Sequence, residues 1–167
     1  MAQAQPWIDN HNHEVIQIAR FLNNFIDPVM GKADQSERER RMSDTYETGM
    51  KTRRRVLGDA HVDRAEAAKT DFDKPFQTLI TEGAWGTVWA SDNITHRERS
   101  MLTLALLAAT GNFEEIPMHI RATANTGASK TDVMEAFQHV AIYAGVPKAN
   151  HALKLAKQTY LEMGEDL

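Results

Sequence analysis

The stretch THRERSMLTLALLAATG, Thr95–Gly111, decides the fold class. Thr95 and Glu98 stand at the spacing of a capping box, in which the threonine oxygen takes the N3 amide and the glutamate reaches back to the N-cap amide. Past Ser100 the segment is apolar on nearly every side as far as Ala109, and a helix apolar all round is buried from several directions. In a small protein it forms either a central helix or an interface between subunits. Gly111 and Asn112 end it.

The C-terminal neighbours read the same way. A helix with Pro117 near its start runs to about Thr126 and stops at Gly127. Ser129 and Asp132 open the next with a second capping box, and Val133, Phe137, Val140, Ala141 and Ala144 form its inner stripe before Gly145. Pro147 sits in the first turn of the last helix, with Leu153, Ala156, Tyr160 and Leu161 inward. On the N-terminal side, Asp73 caps a helix whose inner face is Phe76, Leu79, Ile80 and Val88. A short helix is expected near Val62–Lys69. Another covers Asp44–Leu57, with Tyr46, Met50, Arg53 and Leu57 on one face and Gly58 after it. Lys32–Arg41, with its SERERR run, reads as a linker or a solvated helical turn. Before it, Val15, Ile18, Ala19, Leu22, Phe25 and Ile26 mark an amphipathic helix over Asn10–Ile26. Seven or eight helices joined by short loops, with no alternating strand and no internal repeat, give an all-α protein. Its expected division is an N-terminal extension, residues 1–43, and a main domain, residues 44–167.

Composition narrows the chemistry. The 167 residues include no cysteine, which removes disulfides, zinc–thiolate sites and thiol catalysis together. A formal net charge of −4 does not suit nucleic acid or an acidic lipid surface, so an anionic substrate needs a local cluster of Arg or Lys. The start has no basic segment leading into an apolar run, and no apolar stretch is long enough to span a bilayer. The expectation is a cytoplasmic enzyme or binding protein without membrane or nucleic-acid partners. His11 and His13 alternate as metal ligands can, but no third ligand accompanies them, and no metal is expected.

Five separated segments carry a family resemblance. They are YETGMKTRRRVLGDAHVDRA (Tyr46–Ala65), AWGTVW (Ala84–Trp89), RERSMLTLALLAATG (Arg97–Gly111), HIRATANTGAS (His119–Ser129) and HVAIYAGVPKAN (His139–Asn150). In order and spacing they resemble the 4-carboxymuconolactone decarboxylases, from about Asp44 to the C-terminus. The resemblance implies a fold shared with alkylhydroperoxidase D, in which helical subunits form a ring-shaped homohexamer. The peroxidases carry a Glu, a Cys-x-x-Cys pair and a His. On this sequence those positions are Ser100, Asn112, Glu115 and His119, so the histidine persists and the thiol chemistry is absent. The implied activity is cofactor-independent decarboxylation of a small anionic lactone in protocatechuate breakdown. The substrate's ring carbonyl can accept the electron pair left by carbon dioxide, so no added electron sink is needed.

Such a reaction needs groups that hold a dianion, stabilise an oxyanion and deliver a proton. Arg matches a carboxylate with its planar fork, and His titrates near neutrality. His119 and Glu115, four apart, read either as a catalytic His oriented by a carboxylate or as an idle surface pair; the resemblance favours the first for His119. Arg99, at the start of the apolar helix, is the third catalytic candidate. Arg53, His61, Trp85 and Arg121 are the substrate-binding candidates. Arg53 sits in a basic run that reads equally as a solvated face, and Trp85 with Trp89 reads also as core. Arg121 and His139 read also as interface residues. Two other functions stay open: a related enzyme acting on another small carboxylate, and a non-catalytic helical oligomer that binds a partner through residues 1–43.

Overall fold

The computed structural model describes residues 35–167. The chain divides into two compact units, Met1–Arg41 and Met42–Leu167, and the second carries the core and the site. The helices are α1 (Gln35–Leu57), α2 (Asp59–Ala68), α3 (Lys74–Ile80), a π-helix (Thr81–Val88), α4 (His96–Thr110), a 3-10 turn (Phe113–Glu115), α5 (Ile116–Thr126), α6 (Lys130–Tyr143) and α7 (Val146–Glu162). No strand occurs among the described residues. The expected Asn10–Ile26 helix and the His11/His13 pair lie outside them.

Helices α4 to α7 form a bundle around one apolar core. Leu104 and Ala108 enter it from α4, Ile116 and Ile120 from α5, Val133, Phe137 and Val140 from α6, and Ala149, Ala152, Ala156 and Tyr160 from α7. The alanines of α7 let its backbone approach while the larger residues of the other helices fill the space. Both capping boxes are complete, Thr95 with Glu98 and Ser129 with Asp132. Arg97 grips both Asp132 oxygens, its Nε donating to Oδ2 at 2.7 Å, and so joins the starts of α4 and α6.

A second apolar cluster joins Val56 of α1, Trp85 and Trp89, and Ala122 of α5, with Leu57, Ile80 and Ala84 packed against it. Helix α5 is shared: Ile116 and Ile120 face the bundle, while Ala122 belongs to the tryptophan cluster. The tryptophans are presented by the π-helix, whose bonding skips five residues; the Trp89 N–H donates to the Ala84 carbonyl at 2.8 Å. The wider turn brings residues four apart close to one line, and Thr81, Trp85 and Trp89 are all buried. Close backbone approach accompanies it. A Cβ on Gly86 would lie 2.3 Å from the Thr45 carbonyl oxygen, and one on Gly49 would lie 2.2 Å from that of Thr81. Only glycine lets α1 and the π-helix come this near.

Several expectations are corrected. The helix expected from Asp44 already includes Gln35–Arg41, so of the two readings of that stretch the helical one holds. The short helix starts at Asp59, directly after Gly58. Asp73 holds the N-cap position of α3, but its carboxylate accepts from the Thr70 N–H and hydroxyl instead of the helix amides. Phe76, Leu79 and Val88 are exposed, because the helix changes pitch at Thr81 and its buried line follows the tryptophans. Leu161 is exposed too; at that end of α7, Thr159 and Tyr160 turn inward. Leu102 and Leu106 leave one side of α4 uncovered within a single protomer.

Candidate active site

The site forms where α1, α2, the π-helix and α5 meet. His119 lies in the second turn of α5 and is buried, 8% exposed. Its ring lies against Trp89, with centroids 6.3 Å apart and planes 16° from parallel. Trp85 packs on Trp89 in turn, at 5.3 Å. Neither ring nitrogen of His119 has a hydrogen-bond partner among the described residues. Burial, with a smaller contribution from the nearby His61, pushes its pKa down to about 4, so the imidazole is neutral at pH 7. His61, half-buried in α2, is also pushed down, first by burial and then by the charges of Arg64 and Arg53; Glu115 opposes this.

Arg53 contributes a buried positive charge. It is 8% exposed, and its Nε and Nη1 have no hydrogen-bond partner among the described residues. Its ion-pair partner is Glu66, whose Oε1 is 3.6 Å from Nη1, beyond hydrogen-bond reach. Helix α1 puts Arg53 inward because Thr52, Arg53 and Val56 occupy its buried face. Neighbouring Arg54 turns out to bond Asp59 and Asp63. Asn125 of α5 donates to the Val56 carbonyl at 3.0 Å, which ties the end of α1 to the histidine's helix.

The candidates named from sequence are linked through His61 and Trp89. Arg53 and Glu115 act on His61, His61 acts on His119, and Trp85 packs on Trp89, which lies against His119. Arg99 and Arg121 are held by partners of their own. Glu115, the last residue of the 3-10 turn and the N-cap of α5, makes no hydrogen bond to His119. It lines a cavity of about 690 Å³ with Phe113 and His151. Arg99 donates to the Ser91 carbonyl at 2.8 Å and acts electrostatically on His96, which packs on Trp89 at 6.0 Å. Arg121 pairs with Glu162 at 2.5 Å, and its stem shares a cavity of about 440 Å³ with His61, Arg64 and Met118. His139 is exposed and stacks on Tyr143.

Sequence reasoning missed Glu66, Arg64 and His96. Nε2 of His96 lies 3.0 Å from Arg55 Nη2 and 3.2 Å from the Trp89 carbonyl. The arginine only donates, so this nitrogen accepts from Arg55 in one tautomer and donates to Trp89 in the other. No spacing signal announces these residues, since α1, α2 and the loop before α4 meet only through the fold. No group of residues suited to hold a metal ion occurs among the described residues.

An all-α, thiol-free protein with a buried imidazole and a buried, underpaired arginine against a tryptophan wall has the parts of a small-carboxylate enzyme. A model of the carboxymuconolactone decarboxylase family matches residues 74–158. The 4-carboxymuconolactone decarboxylase of Acinetobacter baylyi is 37% identical over 119 residues, covering 71% of this chain and 89% of its own. The nitrosuccinic acid decarboxylase of Metarhizium robertsii is 36% identical over 131 residues, covering 78% and 90%. A 4-carboxymuconolactone decarboxylase sequence of Pseudomonas putida is 54% identical over 41 residues, a quarter of this chain (25%) and 85% of its own length. The chain belongs to the carboxymuconolactone decarboxylase family, has its all-α alkylhydroperoxidase D-like fold and is an enzyme of the decarboxylase type. The non-catalytic reading is thereby set aside.

Proposed function

We propose that this enzyme decarboxylates 4-carboxymuconolactone to the β-ketoadipate enol lactone, without a cofactor, in protocatechuate breakdown. The observation that carries the reading is Arg53, a buried guanidinium with two unpartnered nitrogens whose charge acts on His61, the neighbour of His119. A buried charge without full pairing is costly to the fold, and a substrate carboxylate supplies the missing partner.

In this mechanism Arg53 and His61 hold the retained carboxylate. The leaving carboxylate faces Trp85, Trp89 and Val56, where it loses water. Its carbon–carbon bond breaks, carbon dioxide departs, and the electron pair passes through the ring double bond onto the lactone oxygen. A His119 N–H donates to that oxyanion. The bound dianion raises the pKa of His119, so the imidazole takes up a proton on binding and delivers it to the ring carbon. Glu115 contributes its field at His61, Arg99 supports the far side of Trp89 through His96, and Arg121 guides anions at the rim. No described helix is long and apolar enough to cross a membrane, and the cytoplasm is the proposed location. The exposed Leu102, Leu106, Ile142 and Tyr143 support a ring-shaped homohexamer, which sedimentation would measure.

The test supplies 4-carboxymuconolactone and follows carbon dioxide and enol lactone together. Turnover by wild type that falls at least about tenfold in a folded His119→Ala variant supports the reading. No turnover by wild type refutes it. A second reading, another small dicarboxylate or nitro acid on the same site, is favoured by the Metarhizium relative and is tested by offering nitrosuccinate in the same assay.

A further inference from the structure

Arg53 has a carboxylate within reach and yet does not bond it. Oε1 of Glu66 is 3.6 Å from Nη1, and a movement of about 0.8 Å would turn that contact into a charge-assisted hydrogen bond. Glu66 is engaged elsewhere. Its other oxygen, Oε2, accepts a hydrogen bond from the ammonium of Lys69, the C-cap residue of α2, and Tyr46 of α1 lies beside that ammonium. Glu66 and Lys69 are both largely buried, with side chains 26% and 20% exposed, so neither is a freely solvated surface charge. Three charges therefore stand in a row: Arg53, Glu66, Lys69. Their sum is one positive charge, and the open nitrogens are all on Arg53.

We infer that Lys69 is a positioning residue for substrate binding: by holding Glu66 it keeps that carboxylate from pairing fully with Arg53 and so leaves the guanidinium's charge for the substrate's carboxylate. This rests on the reading of Arg53 as the carboxylate holder. Without Lys69, Glu66 has only Arg53 as a cationic partner among the described residues. It then closes the remaining gap, occupies Nη1 and cancels the charge that attracts the substrate. Lys69 touches no substrate; it acts only through Glu66. Removing both Lys69 and the charge of Glu66 therefore reopens Arg53, and that rescue separates positioning from a structural role.

The experiment titrates the full chain with succinate, a small dicarboxylate, by calorimetry, with a thermal melt of each variant. Wild type binds. Arg53→Met weakens binding at least about tenfold, Lys69→Met weakens it by about the same factor, and Glu66→Gln/Lys69→Met returns it to within about threefold of wild type. If wild type fails to bind, or Arg53→Met binds like wild type, the carboxylate role of Arg53 falls and takes the inference with it. If Arg53→Met binds weakly but Lys69→Met binds like wild type, the inference alone falls. A Lys69→Met defect that the double variant does not rescue also overturns it.

Discussion

Replacing His119 by Gln should remove much of the protein's sensitivity to mild acid. The imidazole is buried against Trp89 with no hydrogen-bond partner among the described residues, and its pKa is held at about 4 against an ordinary 6.5. The unfolded chain therefore binds a proton at this residue more readily than the folded one. Stability from the neutral imidazole is fully present above pH 6.5, falls as the pH drops, and is fully lost below about 4. The whole effect is about 3 kcal/mol, and about 2.5 kcal/mol of it is gone at pH 4.5. Glutamine is close in volume and does not titrate, so the variant keeps the other six histidines and every carboxylate but lacks this term. The assay is urea unfolding at pH 7.5 and pH 4.5 for both proteins at one protein concentration. Wild type should lose about 2.5 kcal/mol more than His119→Gln between the two pH values. Equal losses would refute the assignment of His119 as a buried neutral group, and with it the proton uptake in the mechanism.

Three further outcomes are expected. Trp89→Leu opens the ring's environment to water, so the His119 pKa measured by proton NMR should rise from about 4 toward 6.5; an unchanged value would mean that other residues exclude the water. Arg53→Met should lose substrate binding without losing stability, and its melting temperature should equal or exceed that of wild type, because an apolar side chain replaces an incompletely paired buried charge. Gly86→Ala should cost about 1–3 kcal/mol or more, read by urea unfolding, since its Cβ meets the Thr45 backbone carbonyl and no side-chain rotation relieves that; an alanine variant as stable as wild type would show that α1 and the π-helix separate easily.

Local signals foretold local structure. Thr95 with Glu98 and Ser129 with Asp132 form the caps their spacing implies, since a capping box is complete within four residues. Phe137 and Leu104 are fully buried, as their stripes require. The failures lie where distant segments decide. The π-helix follows the close approach of Gly49 and Gly86 to the backbones of Thr81 and Thr45, which no periodicity in Thr81–Val88 encodes. That change of pitch moves burial from Phe76 and Leu79 to Trp85 and Trp89. Glu115 and His119 have the right spacing, but Glu115 stands at the N-cap of α5 and acts on His61 without bonding His119. For the site, His119 was visible through its family position. Of three adjacent arginines, Arg53 is the one on the face of Tyr46, Met50 and Leu57, and it is buried, while Arg54 off that face meets surface aspartates.

The two groups that define the site share an energetic logic. Arg53 is a buried cation with open donors, and His119 is a base kept neutral by burial and by a neighbouring imidazole. Each is unfavourable in the empty protein, and each is relieved by the same event, the arrival of negative charge. A structural arginine would have been paired at hydrogen-bond distance by Glu66, which stops short at 3.6 Å. A structural histidine would have used its ring nitrogens, as His96 does with Arg55 or the Trp89 carbonyl. A dianion corrects both at once, pairing with Arg53 and drawing a proton onto His119. A monoanion can satisfy Arg53 but leaves His119 less strongly protonated. On the proposed reading the arrangement favours two negative charges, and the second of them, on the carboxylate that departs, draws the proton onto His119.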